Sequence, residues 1–421
     1  MKKNFINNIV IYMTGSLAAQ ILSFAFMPLV TRLYSPESLG VLNKFISVAN
    51  VAIPLCTLSL IYSLVLTKNL MEAIKGILTI ISISTVATYL VILLFLGVKT
   101  FDRNLLYWLI LPLYIFLFSI SQTGEQLCVK TEKFKIISFA NFIQSGVNNF
   151  FKIILPIFCS SGFLLLLISA VAGVFSTFLI YYKDIFVFKI KGVIRLSNAL
   201  KVIHDNKSFV FYQTPQNVIN ALSQGLPIFI ISILFGDNMA GQYGLANTLM
   251  LVPISLLGTA IVNVTYPKVK YIYEQKGDLF IYLLKSYLTM LLISVVIFLP
   301  ILLFGSEVFS FFFGGQWSAA GKIASLLVPS FVIILISRPV IPIIYIYRMQ
   351  RHLLINEIVG IILKCIALGS GYYFFKSVFI SVLLFSFANV AVYSILCAQA
   401  LLRANRVSRK IIYKKKDKCG L

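Results

Sequence analysis

The sequence predicts an all-α integral membrane protein of about twelve transmembrane helices. Three observations predict it. Of the 421 residues, 59% are hydrophobic and only 12% are charged, against about 25% charged in a soluble domain. The apolar residues fall into blocks of spanning length, about 20 residues each. The positive charges collect in every second connection between those blocks, which is the positive-inside pattern.

The blocks follow in order. Stretches 7–31, 45–67, 76–98, 104–124, 160–182, 208–236, 238–267, 286–306 and 377–402 carry no charged residue. Stretch 136–158 keeps Lys152, 323–347 keeps Arg338, and 353–375 keeps Glu357 and Lys364. Backbone amides find no water in hydrocarbon, so such blocks must be helices or strands of a closed barrel. Continuous rather than alternating apolarity selects helices. Lys2 and Lys3 before the first run resemble a secretory signal. That run is too long and lacks a small-residue cleavage site, so an uncleaved first helix is expected.

With both termini cytoplasmic, the inner connections are 67–75, 123–135, 183–207, 268–285, 348–352 and the tail from 403. They hold most of the 36 Lys and Arg, whereas Arg32, Lys99, Arg103, Lys322 and Lys376 fall near outer loops. The net charge of +23 therefore reads as membrane orientation and not as nucleic-acid binding. The run Lys414, Lys415, Lys416, Lys418 reads as an anchor to anionic lipid. The six cysteines (56, 128, 159, 365, 397, 419) show no CxxC, and His204 and His352 have no ligand partners. No metal, cofactor or disulfide framework is expected. Gly315–Gly321–Lys322 is followed by Ile323, which breaks the phosphate-loop pattern, and no GxSxG occurs.

The longest inner loop divides the chain into an N-terminal six-helix lobe (1–182), a basic amphipathic cytoplasmic connector (183–207), a C-terminal six-helix lobe (208–402) and a basic tail (403–421). Segment 185–203 alternates Lys189, Lys191, Arg195 and Lys201 with apolar residues, as expected of a helix lying on the membrane surface. Six helices return the chain to the side it entered from, so the lobes can be parallel repeats about an axis along the membrane normal. Met27–Pro54 and Leu226–Pro253 share a pattern. Each has a proline near the outer end of one helix, a polar turn, a glycine (Gly40, Gly241) and a proline deep in the next helix.

Function is carried by residues kept polar against cost. A cation at mid-membrane costs about 2.5–3.5 kcal/mol on insertion scales and usually faces a cavity or a partner. Asn141, Gln144, Asn148 and Lys152 recur at helical spacing on one face. So do Gln213, Gln216, Asn217, Asn220 and Gln224. Lys44, with Asn43, Ser47 and Asn50, sits near the outer end of the second helix, and Glu357 and Lys364 are two turns apart. Amides can instead glue helices together, and terminal lysines can snorkel. A wet, cationic, amide-lined cavity between the lobes accounts for the whole set. Glu357 is expected to pair with Lys364 or Arg338, or to act as a protonatable coupling residue. Fixed cations with few carboxylates suit a phosphate or pyrophosphate.

PLVTRLYSPESLGVLN (28–43) resembles the first periplasmic turn of the polysaccharide repeat-unit flippases of the multidrug/oligosaccharidyl-lipid/polysaccharide exporter superfamily. The stretch 226–269 resembles the same family, and FFFGGQWSAAGKIASLLVP (311–329) is similar to its FG-x-x-W-x-x-A-G turn. The resemblance implies two lobes forming a V about a central cationic cavity, in the bacterial inner membrane. It implies a non-enzymatic, alternating-access flippase for undecaprenyl-pyrophosphate-linked oligosaccharide destined for O-antigen or capsule. Membrane lipid, a polysaccharide polymerase and a chain-length regulator are the further partners it implies. Its lumen cations would correspond to Arg32, Lys44, Lys152, Arg338 and Lys364. Only Arg32 lies in a matching motif; the others rest on the polar stripes. The alternatives are a small-molecule or multidrug exporter of the same superfamily and a membrane O-antigen polymerase or ligase. A cationic cavity repels cationic drugs, and the outer loops are too short and too sparsely charged for a polymerase. A structural scaffold leaves the polar stripes unexplained.

Overall fold

The computed structural model describes residues 2–67, 69–98, 103–158, 162–186, 196–275, 279–347 and 349–418. Residues 187–195 of the expected connector lie outside these, as do Lys99, Cys159 and Cys419, and so do the side chains of Asn263 and the basic tail. The described residues form helices and no strand. In chain order these are α1 (Lys2–Leu33), α2 (Pro36–Thr57), α3 (Leu70–Val98), α4 (Leu111–Lys130), α5 (Phe134–Phe158), α6 (Gly162–Phe186) and α7 (Leu196–Asp205). They continue as α8 (Thr214–Phe235), α9 (Asp237–Glu274), α10 (Leu279–Phe313), α11 (Ser318–Ile336), α12 (Val340–Ile346), α13 (Gln350–Phe375) and α14 (Val378–Lys418).

Ten helices among the described residues are long and apolar enough to cross a membrane. The remaining long ones are α5, which keeps Lys135 and Lys152, and α9, which runs 38 residues with charges at its ends. Together they match the expected spans one for one, with α12 the resumed end of the span 323–347 and α7 a short addition. The protein is a multi-pass membrane protein. The expected pseudo-repeat segments each fold as helix, turn and helix. Pro28 and Pro54 lie inside α1 and α2, and Pro227 and Pro253 lie inside α8 and α9.

Three local features depart from the uninterrupted spans read from the sequence. The uncharged run 45–67 does not stay helical. α2 stops at Thr57 because Leu58 and Ser59 take left-handed backbone angles (φ 48° and 50°), and a 3-10 turn over Leu60–Val65 follows. The run 323–347 breaks at residues 337–339. Pro339 has no N–H for an intrahelical bond and restricts Arg338 before it, so α12 starts afresh at Val340. Entry into α8 passes through a π-turn, Phe209–Gln213, closed by Thr214 Oγ1 donating to the Phe209 carbonyl at 3.2 Å.

The chain folds into two compact units, 1–229 and 230–421, so most of α8 packs with the first. In the first unit, Ile74, Ile77, Ile120, Leu127, Ile137 and Tyr181 form a buried cluster with Leu60, Ile61 and Leu64 of the 3-10 turn. Ala199 and Val202 of α7 belong to it. Ala199 and Val202 thus pack against protein, whereas Leu196 and Leu200 of the same helix are exposed. Gly76 lets α3 approach the Asn198 carbonyl and Val202, and Lys201 pairs with Glu72 at 2.5 Å. In the second unit, Val269, Leu283, Ile343, Ile344, Leu396 and Ala400 form the corresponding buried cluster. Lipid offers apolar side chains no less than protein does, so helix contacts in membranes rely on small residues and close backbones. Gly305 of α10 and Gly321 of α11 meet backbone to backbone, and Ser325 Oγ donates across that crossing to the Ile301 carbonyl at 2.7 Å.

Candidate functional site

In the first unit the stripe on α5 is arranged as its spacing predicts. Asn141, Gln144, Asn148 and Lys152 are all half-buried. Asn148 lies against Gly173 of α6, and its buried Oδ1 has no hydrogen-bond partner among the described residues. The Tyr34 hydroxyl donates to the Lys152 backbone carbonyl at 2.9 Å, which fixes that turn to the end of α1. No hydrogen bond or ion pair among the described residues reaches the Lys152 ammonium. The gluing role falls to a neighbour that the stripe omits. Asn149, 4% exposed, donates to Ser23 Oγ of α1 at 3.3 Å, and Ser145 Oγ donates to the Ala19 carbonyl at 2.9 Å. Asn149 thus ties α5 to α1 and leaves the adjacent face free of that duty.

The stripe entering α8 is divided between two kinds of contact. Gln213 Nε2 donates to Asn217 Oδ1 at 3.1 Å, and Asn217 Nδ2 donates to Ser59 Oγ at 3.0 Å. These two amides hold α8 to the break after α2. Gln224 Nε2 donates to Asn220 Oδ1 at 3.1 Å, and Gln216, Asn220 and Gln224 are exposed. Gly225 brings α8 against Ser47 of α2, where a Cβ would stand 3.0 Å from the Ser47 Cβ. Arg32 is exposed in the last turn of α1, and Lys44 is half-buried on α2.

In the second unit, Arg338 stands in the break between α11 and α12. Its guanidinium lies across Gly258 of α9, where a Cβ would sit 3.1 Å from Nε. That Nε is buried and has no hydrogen-bond partner among the described residues. Tyr393 of α14 lies within electrostatic reach of both Arg338 and Glu357, and Glu357 and Lys364 of α13 lie within reach of each other. The break, α13 and α14 thus bring two cations, one carboxylate and a phenol into one neighbourhood. Tyr393 escapes a search for charged and amide stripes because its ring counts as apolar. Its position next to Arg338 depends on packing between distant elements.

The sequence signature of the family described as "Polysaccharide biosynthesis protein" matches residues 16–322. The chain belongs to this family. Its fold is that of the multidrug/oligosaccharidyl-lipid/polysaccharide exporter superfamily, in agreement with the resemblance carried by residues 28–43, 226–269 and 311–329. A lipid II flippase, MurJ, in an inward closed conformation superposes with a TM-score of 0.70 at 13% identity, covering 96% of this chain and 91% of its own. An inward-facing multidrug resistance MATE family transporter gives 0.69 at 14%, covering 95% and 99%. A superfamily transporter from Pyrococcus furiosus gives 0.55 at 14%, covering 95% and 93%. No curated protein matches by sequence.

Proposed function

We propose that this member of the polysaccharide biosynthesis family is a flippase. It moves undecaprenyl-pyrophosphate-linked oligosaccharide repeat units, of the O-antigen or capsular kind, from the inner to the outer leaflet of the bacterial inner membrane by alternating access. The observation that carries the reading is the buried, unpartnered Nε of Arg338 in a helix break. An orphaned buried donor costs about 1–3 kcal/mol, and a guanidinium is a natural partner for a phosphate oxygen. The Lys152 ammonium, which no hydrogen bond or ion pair among the described residues reaches, gives the first unit a cation of its own.

The chemistry follows from solvation. An ionised pyrophosphate entering bare hydrocarbon loses many kcal/mol of hydration. Arg338, Lys364 and Lys152 replace part of that hydration, with Arg32 and Lys44 toward the outer side. Asn141, Gln144, Asn148, Gln216, Asn220 and Gln224 offer donors and acceptors to sugar hydroxyls. Glu357 beside Lys364 tempers the local positive charge, so that the headgroup is held and still released. No bond is made or broken in this step, and the lipid tail keeps to the bilayer. Cation-rich faces disfavour the cationic drugs that a multidrug exporter would carry.

The test is complementation of a deletion strain with the wild-type chain and with Lys152→Ala, Arg338→Ala and Lys364→Ala, at matched membrane abundance. Loss of surface polysaccharide, with lipid-linked units retained on the inner leaflet, is expected. Normal polysaccharide from all three variants would overturn the assignment.

A further inference from the structure

We propose that Asn217 exchanges partners during transport. It donates to the Ser59 hydroxyl in the empty chain and to a sugar hydroxyl of the headgroup in the loaded one, so that the substrate itself opens the turn after α2. The proposal deepens the flippase reading above and rests on it. Its footing is a serine standing where a sugar would. Asn217 Nδ2 donates to Ser59 Oγ at 3.0 Å, and Gln213 Nε2 steadies that amide by donating to its Oδ1 at 3.1 Å. Serine and sugar both present an aliphatic hydroxyl, so an amide aimed at one accepts the other as its partner. Gln216, Asn220 and Gln224 of the same stripe are already exposed. Release from Ser59 adds Asn217 to these three. Gln213 is the positioning residue that keeps the Asn217 amide oriented.

Both sides of the contact are built to let go. Leu58 and Ser59 are consecutive non-glycine residues in the left-handed region, a conformation that persists where its surroundings hold it and that clusters at binding and switch sites. The run 45–67 contains no glycine, and its proline, Pro54, lies one turn upstream inside α2. The break is therefore imposed from outside. Lys130 Nζ of α4 holds the far end of the 3-10 turn through the Leu64 and Thr67 carbonyls, and Asn217 holds the near end. Opposite, α8 is entered through the π-turn Phe209–Gln213, a rare wide turn that also concentrates at functional sites. No residue in 215–226 is fully buried, whereas every residue in 240–246 of α9 is. This stretch of α8 thus has no fully buried side chain to anchor it. Replacing one hydroxyl acceptor by another leaves the number of hydrogen bonds unchanged, so the exchange costs little.

The test uses the purified full chain in lipid nanodiscs. Hydrogen exchange over residues 57–67 is measured with no added lipid and with the lipid-linked oligosaccharide extracted from the deletion strain. A third sample receives undecaprenyl pyrophosphate, which carries the pyrophosphate and no sugar. Binding of each lipid is measured on the same samples. The sugar-bearing lipid is expected to speed exchange several-fold, and undecaprenyl pyrophosphate to bind and leave it unchanged. Ser59→Ala should exchange fast without lipid and gain nothing from it. Ser59→Thr, which keeps the hydroxyl, should behave as the wild type. A merely structural tie would lower the melting temperature in Ser59→Ala while residues 57–67 of the wild type ignored the sugar. If both lipids bind the wild type and neither alters 57–67, or both alter it equally, the partner exchange is overturned and the substrate reading stands. If neither lipid binds, the substrate reading falls and this proposal with it.

Discussion

Arg338 owes its position to the residue after it. Pro339 ends the helix, and the broken backbone turns the guanidinium across Gly258. Gly258→Ala should therefore act through Arg338, since a methyl group 3.1 Å from Nε makes the side chain shift by a few tenths of an ångström. The expected outcome is reduced surface polysaccharide at normal protein abundance, and Arg338→Lys should not rescue it, because an ammonium lacks the planar fork. At the opposite end of the chemistry, the Glu72 carboxylate raises the Lys201 pKa, first by hydrogen bonding to it and then by its charge. A raised lysine pKa stabilises the fold below the ordinary lysine range, about 10.4, and that contribution disappears as pH rises through the shifted value. Amide protection in residues 196–205, corrected for the intrinsic pH dependence of exchange, should hold at neutral pH and fall in strong alkali. Lys201→Ala should be faster already at neutral pH and should lack the alkaline step. Charges of this kind are legible from sequence; their partners are not. Lys152 and Arg338 stand out as intramembrane cations in any reading of the chain.

At the scale of elements, the sequence marks where helices run better than where they stop. The apolar run 45–67 gives no sign that Leu58 and Ser59 leave the helix, since neither is Gly or Pro and both sit among apolar residues. The break is held from outside, by Asn217 of α8 and by Lys130 of α4. Asn217→Ala should cost about 0.5–2 kcal/mol, read as a lower melting temperature of the purified protein, and should speed exchange at residues 57–67. The crossing of α10 and α11 depends on Gly305 and Gly321, whose backbones are in contact. Gly321→Leu should prise these helices apart and cost about 1–3 kcal/mol or more. Loss of membrane-inserted protein, or of its melting transition, is the measurement. The FG-x-x-W-x-x-A-G resemblance contains this glycine, so the motif has a packing reason. Gln242 adds to it by donating to the Gln316 carbonyl at 2.7 Å and accepting from the Ala320 amide at 2.8 Å.

For the whole molecule, flippase activity predicts a phenotype. Deleting the gene should leave lipid-linked repeat units on the inner leaflet, inaccessible to a label added outside spheroplasts, and re-expression should restore access. The sequence by itself determined the membrane class and the twelve long helices, and its loop charges predict their orientation. Hydrocarbon forces every backbone group into a local hydrogen bond, and loop charge alone sets the side. The tertiary structure alone decided which polar groups are occupied and which are free. Asn149 glues, and Asn148 Oδ1 finds no partner among the described residues; Lys130 is consumed by the turn after α2; Ala199 and Val202 of α7 dock on α3. Those outcomes depend on contacts between residues far apart in the chain, where small side chains set how near two helices come, and helical periodicity carries no information about which face meets which neighbour.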